Sequence, residues 1–270
     1  MEQNVCTLTN IPYGTHERQV VDLFLPKDAK CSHGLLLFIH GGGWQEGDKS
    51  AHYSDASYFC ERGYICASMN YRYVSKELRV FEELDDITAA LTRIKQVCAE
   101  RGTLLERVLL SGGSAGAHLA MLYAYTRKTE APLEPVAVCA YCPPVSCAKA
   151  DFLIGSSGQF EDWKYEILSK CCGVALTKEN FMANFQQKAL KKISPEEYQT
   201  EDSVPTTVFH GKMDELVPLA HIEDFLSRLK SLGIRHDFLL YENSGHALDK
   251  DPDTAQLAKD IIQSYAEAYL

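Results

Sequence analysis

The chain has 270 residues, 46% hydrophobic and 24% charged, and its 37 acidic against 27 basic residues give a formal net charge of -10. That length supports one large α/β domain or two small ones without stapling, and the composition excludes a disordered or fibrous chain. The acidic balance disfavours nucleic acid or an anionic membrane surface as a partner.

Residues 1–10, MEQNVCTLTN, carry neither the basic nor the apolar region of a secretory signal, and no apolar stretch reaches the length of a membrane span. A cytoplasmic protein is expected, with its ten irregularly spaced cysteines as reduced thiols. Residues 5–11 and 19–25 have strand character, the second closed by Pro26, and suit an antiparallel edge. Residues 35–39 and 64–73 are strand-length apolar runs of the kind covered on both faces of a parallel sheet. Between them residues 51–62 predict a helix stopped by Gly63. Leu84, Ile87, Leu91, Ile94 and Val97 recur at helical spacing and predict one amphipathic helix over 81–101.

A short strand at 108–110 leads through SGGSAG into a helix at 117–127, and a further strand at 136–141 ends before Pro143 and Pro144. About sixty residues then pass before the strand at 206–209, a gap that normally carries its own structure. Residues 145–200 are therefore expected to form a cap-like insertion, with short helices in FEDWKYEILSKCCG and KENFMANFQQKAL and a break at IGSSGQ. A helix at 219–232, a strand at 236–241 and a helix at 254–269 complete the chain. The alternation predicts an α/β class with a mainly parallel sheet, in a single domain over 1–270. Cys139 and Cys142 form a C-x-x-C on an apolar run without zinc-type partners, so buried strand cysteines are expected and no metal site.

Gly112–Gly116, GGSAG, satisfies G-x-S-x-G between a strand and a helix, the setting of a nucleophile elbow around Ser114. Small neighbours let the turn tighten, and the following helix aims its free N–H groups at developing negative charge. A serine needs a base, and a carboxylate to orient that base. His246 in ENSGHAL follows the last strand, and Asp214 in HGKMDELVP follows the strand before it, giving the chain order Ser, Asp, His. Glu215 is the alternative acid. His210 suits a local hydrogen bond and His118 a packed or capping role, while His16, His33, His52, His221 and His236 lie in ordinary polar contexts. In HGGGW, residues 40–44, three glycines end a buried strand, as an oxyanion loop requires. Gly42, Gly43 and Ala115 are the candidate oxyanion donors, His40 a holder of the loop, and Trp44 an anchor of the loop or a wall of the substrate pocket.

HGGGW, GGSAG, the Asp214 loop and the His246 loop together resemble the α/β-hydrolase superfamily. The resemblance is to its esterase/lipase branch, with hormone-sensitive-lipase-like and BD-FAE-like feruloyl or acetyl esterases; MNYRYV, residues 69–74, is similar to the strand after the oxyanion loop in that branch. It runs from about Val20 to the C-terminus, apart from the insertion. It implies a twisted, mainly parallel sheet of about eight strands flanked by helices, and a serine carboxylesterase acting on small-molecule esters with short or aromatic acyl groups, through an acyl-enzyme, with no cofactor and no metal. The branch usually has Asp before the nucleophile, whereas this chain has Gly113, which turns the expectation toward smaller esterases and arylformamidase or peptidase-like relatives. HGGGW is also similar to the HGGxW loop of kynurenine formamidases, so a formamide or small amide stands as the alternative substrate, and a ligand-binding protein on a hydrolase scaffold as the non-enzymatic one. Phe152, Phe160, Trp163 and Tyr165 have two readings, the wall of an aromatic acyl pocket or a small core of the insertion. Exposed apolar surface on the insertion or an edge strand would support a homodimer.

Overall fold

Side-chain alternation along the central strands divides the hydrophobic core between two helical layers. In β3 (Gly34–Ile39) Leu35, Leu37 and Ile39 join one cluster, while Leu36 and Phe38 join the other, and none is more than 1% exposed. Strands covered on both faces must be apolar at every position, which is why the run carries no polar side chain. The computed structural model describes residues 5–27, 33–153, 162–182 and 187–270.

The remaining strands are β1 (Val5–Pro12), β2 (Val20–Pro26), β4 (Ile65–Met69), β5 (Arg107–Gly113), β6 (Glu134–Tyr141), β7 (Thr206–Gly211) and β8 (His236–Tyr241). They form one eight-stranded sheet in the order β1-β2-β4-β3-β5-β6-β7-β8. The β1–β2 and β2–β4 pairs are antiparallel and all others parallel, as the two opening segments predicted. On one face lie α1 (Tyr53–Cys60) and α9 (Pro252–Tyr269), packed through Phe59, Ile262 and Tyr265. On the other lie α2 (Val80–Ala99), α3 (Ala115–Thr126) and α8 (Leu219–Ser231).

The register puts Ile39 beside Gly112, Gly113 beside Tyr141, Tyr141 beside Phe209 and Gly211 beside Tyr241. The C-terminal ends of β3, β5, β6, β7 and β8 therefore share one edge, where open α/β sheets place their ligands.

Two expectations change. The strand expected over 64–73 spans Ile65–Met69; the Asn70 N–H still donates to Val20 O (3.0 Å), and the polar side chains from there on turn to side-chain bonds. The Asn70 carboxamide binds the Lys49 N–H (2.6 Å) and Asp48 (2.9 Å), and Arg72 grips Asp86 (2.7 Å). Between β6 and β7 the chain forms α4 (Ala150–Leu153), α5 (Asp162–Cys172), α6 (Lys178–Met182), α7 (Gln187–Lys192) and a 3-10 turn at Pro195–Tyr198. Among the described residues these do not enclose a small core of their own. Phe152, Tyr165, Leu168, Cys171, Phe181 and Leu190 belong to the same buried cluster as the α2–α3 face. Phe160 and the IGSSGQ break lie outside the described residues. Among the described residues no helix is long and apolar enough to cross a membrane.

Candidate active site

Ser114 occupies a left-handed backbone conformation (φ 52°, ψ -119°) as N-cap of α3. A non-glycine residue there is strained, and the surroundings must enforce it. Its N–H donates to Tyr141 O (2.8 Å) and its carbonyl accepts from His118 N (2.9 Å), which locks the β5–α3 turn against β6. The glycines around it have different reasons. A Cβ on Gly112 would meet Gly116 C at 2.6 Å, and one on Gly116 would overlap the carbonyls of Ile39 and His40, so both are demanded by backbone packed on backbone. A Cβ on Gly113 would meet nothing within 4 Å. The glycine before the serine is therefore not a steric requirement.

Asp214 and His246 come together. His246 Nδ1 donates to Asp214 Oδ2 at 2.8 Å, while Asp214 Oδ1 accepts from Leu216 N (2.8 Å) and Val217 N (2.9 Å), so both carboxylate oxygens are fixed. Burial pushes the Asp214 carboxyl up, but His246, the Val217 N–H and His210 outweigh it and hold the group below the usual carboxylate range. A Cβ on Gly211 would meet Ser244 O at 2.6 Å, so the Asp214 and His246 loops touch through bare backbone. Ser244 Oγ anchors the second loop to Asp251 (2.5 Å). Glu215, the alternative acid, is exposed, and the hydrogen bond to His246 belongs to Asp214. His210 Nε2 donates to Val217 O (3.1 Å), the local bond expected of it.

The glycine run turns through three left-handed residues, Gly42 (φ 117°), Gly43 (φ 53°) and Trp44 (φ 61°). A side chain on Gly42 would overlap the Glu46 carbonyl; one on Gly43 has room but strained backbone. Gly41, not singled out from sequence, lies against the Ser114 turn: a Cβ there would lie 2.8 Å from Gly113 O and 3.4 Å from Ser114 Cβ. Its signal was the triple glycine itself, which does not say which member meets which neighbour. His40 is fully buried, donates through Nδ1 to Gly41 O (2.6 Å), accepts from Arg18 Nη2 (3.2 Å) and stacks on Tyr71, and burial pushes its imidazole down to about 4. A neutral ring in that tautomer holds the loop, as expected.

Trp44 both anchors and lines. Its indole N–H donates to His118 Nδ1 (3.1 Å), and His118 Nε2 donates to Ile193 O (2.6 Å). Burial pushes the His118 imidazole down to about 4, consistent with a neutral connector between the glycine loop, α3 and the β6–β7 segment.

Two cavities meet at Ser114 and His246. One, of about 350 Å³, is also walled by Gly42, Gly43, Trp44, Phe152, Trp163 and Leu168. The other, of about 550 Å³, is walled by Gly41, His52, Asp55, Tyr141, Tyr241 and Lys259. Of the four aromatics weighed from sequence, Phe152 and Trp163 line the first cavity, whereas Tyr165 packs edge-on against Phe181. His52, Asp55 and Lys259 carried no sequence signal, because the turn before α1, α1 itself and α9 are far from Ser114 in the chain and only the fold brings them to this cavity. Ala115, fully buried, begins α3 beside Ser114.

Residues 21–229 match the model of the BD-FAE family. The chain is 24% identical over 246 residues to a probable isoprenylcysteine alpha-carbonyl methylesterase of Arabidopsis thaliana, an alignment spanning 88% of this chain and 50% of that protein. It is 26% identical over 129 residues to a kynurenine formamidase of Danio rerio, covering 48% of this chain and 42% of that one. The chain thus spans about half the length of these relatives. A truncated carbohydrate esterase from gut microbiota superposes with a TM-score of 0.77 over 99% of this chain and 98% of its own, at 20% identity, and shares the fold.

Proposed function

The chain belongs to the BD-FAE family, and from that premise we propose that it is a serine carboxylesterase hydrolysing short-chain or aromatic acyl esters through an acyl-enzyme. The observation that carries the reading is the 2.8 Å hydrogen bond from His246 to Asp214 beside cavities onto which Ser114 also opens. Ser114 Oγ attacks the ester carbonyl while His246 Nε2 takes its proton; Asp214 keeps Nδ1 protonated and stabilises the imidazolium. The tetrahedral oxyanion is received by the N–H groups of Gly42, Gly43 and Ala115. His246 returns its proton to the leaving alcohol, and water repeats the sequence on the acyl-enzyme. Residues 145–200 act as a cap within a single α/β-hydrolase domain, and Phe152 and Trp163 set the size of the group that enters the smaller cavity.

Ser114→Ala is expected to abolish hydrolysis of nitrophenyl acyl esters and labelling by a fluorophosphonate, with unchanged circular dichroism; retained turnover would sink the assignment. Trp163→Ala should move preference toward longer or bulkier acyl groups across an ester panel.

The kynurenine formamidase relative and the HGGGW loop support a second reading, hydrolysis of an aryl formamide by the same residues. Comparing kcat/KM on N-formylkynurenine and on acyl esters separates the two.

A further inference from the structure

Cys142 takes no part in the hydrolysis described above, yet it lies against the residues that do. It follows β6 rather than lying within it, in a left-handed conformation (φ 46°), 2% exposed, with its N–H held by Phe209 O (2.8 Å). Its Sγ, an Asp214 carboxylate oxygen and a His246 ring nitrogen all lie within 4.8 Å of one another. Each comes from a different strand end, so the convergence is a product of the fold and has no counterpart in sequence spacing.

We propose that Cys142, Asp214 and His246 form an inhibitory site for a thiophilic divalent cation of the zinc or cadmium class. The proposal rests on the Asp214–His246 pair being the one used in catalysis. One sulfur, one imidazole nitrogen and one carboxylate oxygen are the donors zinc prefers, and a hard cation such as magnesium is poorly served by a thiol. Zinc bonds of about 2.0 to 2.3 Å in tetrahedral geometry place donors about 3.3 to 3.6 Å apart. The 2.8 Å hydrogen bond between His246 and Asp214 must therefore open by roughly half an ångström, and the sulfur, within 4.8 Å of both partners, close in by at most roughly 1.2 Å. His246, its side chain 17% exposed and walling both cavities, is the member open to an entering ion. A water completes the coordination.

The step balances in protons and charge. The Cys142 thiol releases one proton to solvent, and the proton on His246 Nδ1 is exchanged for one on Nε2 as the metal takes Nδ1. Thiolate and carboxylate then neutralise the dication. With Nε2 protonated, His246 has no lone pair for the Ser114 proton, so turnover and fluorophosphonate labelling stop together.

The test uses the full chain in a non-chelating buffer with a nitrophenyl acyl ester. Zinc chloride should inhibit, EDTA should restore activity, and magnesium at the same concentration should have no effect. Cys142→Ser and Cys142→Ala should keep metal-free turnover within about threefold and raise the half-inhibitory zinc concentration by about tenfold or more. Cadmium should give a near-ultraviolet thiolate charge-transfer band in the parent and in Ser114→Ala, and the band should fall in Cys142→Ala and in His246→Ala. Equal zinc inhibition of parent and Cys142→Ala, no zinc inhibition of an active parent, or a cadmium band that neither change reduces overturns the proposal. The cadmium readout requires no turnover, so a protein without esterase activity would refute the proposed function and leave this site decided by the spectrum.

Discussion

At Ser114 the chain holds a strained backbone in place through two main-chain hydrogen bonds and two glycines that no other residue can replace. Gly116→Ala must drive a methyl into the carbonyls of Ile39 and His40, so it should lower the melting temperature and remove most hydrolysis. Gly113→Ala meets open space and should leave stability within about 0.5 kcal/mol, read by chemical denaturation. Equal effects of the two changes would refute the steric assignment. Asp214→Asn removes the charge that fixes the His246 tautomer, and kcat should fall on the order of 10⁴-fold with KM little changed. Glu215→Gln, on an exposed side chain outside that bond, should change kcat little.

At the level of elements, the glycine loop after β3 is not held by its own turn alone. Trp44, His118 and Ile193 form a hydrogen-bonded chain from that loop through α3 to the segment between β6 and β7. Trp44→Phe keeps the ring and deletes the donor, leaving His118 Nδ1 buried without a partner at a cost of about 1 to 3 kcal/mol. The expected outcome is a lower denaturation midpoint together with reduced kcat, because the loop and the wall of the smaller cavity loosen together. A change in KM alone would argue that Trp44 only lines the pocket. The β6–β7 segment shares the main buried cluster, so deleting residues 145–200 should prevent folding rather than yield a cap-free enzyme, checked by solubility and near-ultraviolet circular dichroism.

For the whole molecule, buried titratable groups set the pH range of stability. His40 and His118 are pushed down to about 4 by burial, against about 6.5 in an unfolded chain. Their depressed values mean that stability is full above 6.5 and is lost as pH falls from there through about 4, on the order of 3 kcal/mol for each ring. Glu83 works in the opposite sense. It is fully buried, and burial followed by the nearby Asp86 pushes its carboxyl well up, against a smaller opposing pull from the Val74 N–H and Arg72. Its protonated form suits the fold, so stability declines as pH rises above about 4.3, where the unfolded chain ionises first. Glu83→Gln should therefore raise the melting temperature at pH 8 by about 3 to 6 °C and change it less at pH 4.5. An equal shift at both pH values would assign the effect to packing.

By itself the sequence determined the α/β class and the order of the main elements, and it singled out Ser114, Asp214 and His246 as candidates, because periodicity, tight-turn glycines and chain order are local properties. It also marked the glycine run 41–43 as backbone without side chains at the end of a buried strand. Tertiary structure decided which glycine meets which neighbour, since that depends on β3 lying beside β5 and carrying α3 against its carbonyls. It joined His246 to Asp214 rather than to Glu215, separated Phe152 and Trp163 from Tyr165, and carried the β6–β7 segment into the main core. It also moved Cys142 off the strand and against Asp214. Most of these are contacts between residues far apart in the chain, fixed by strand order and register, and no spacing along the sequence encodes such a distance.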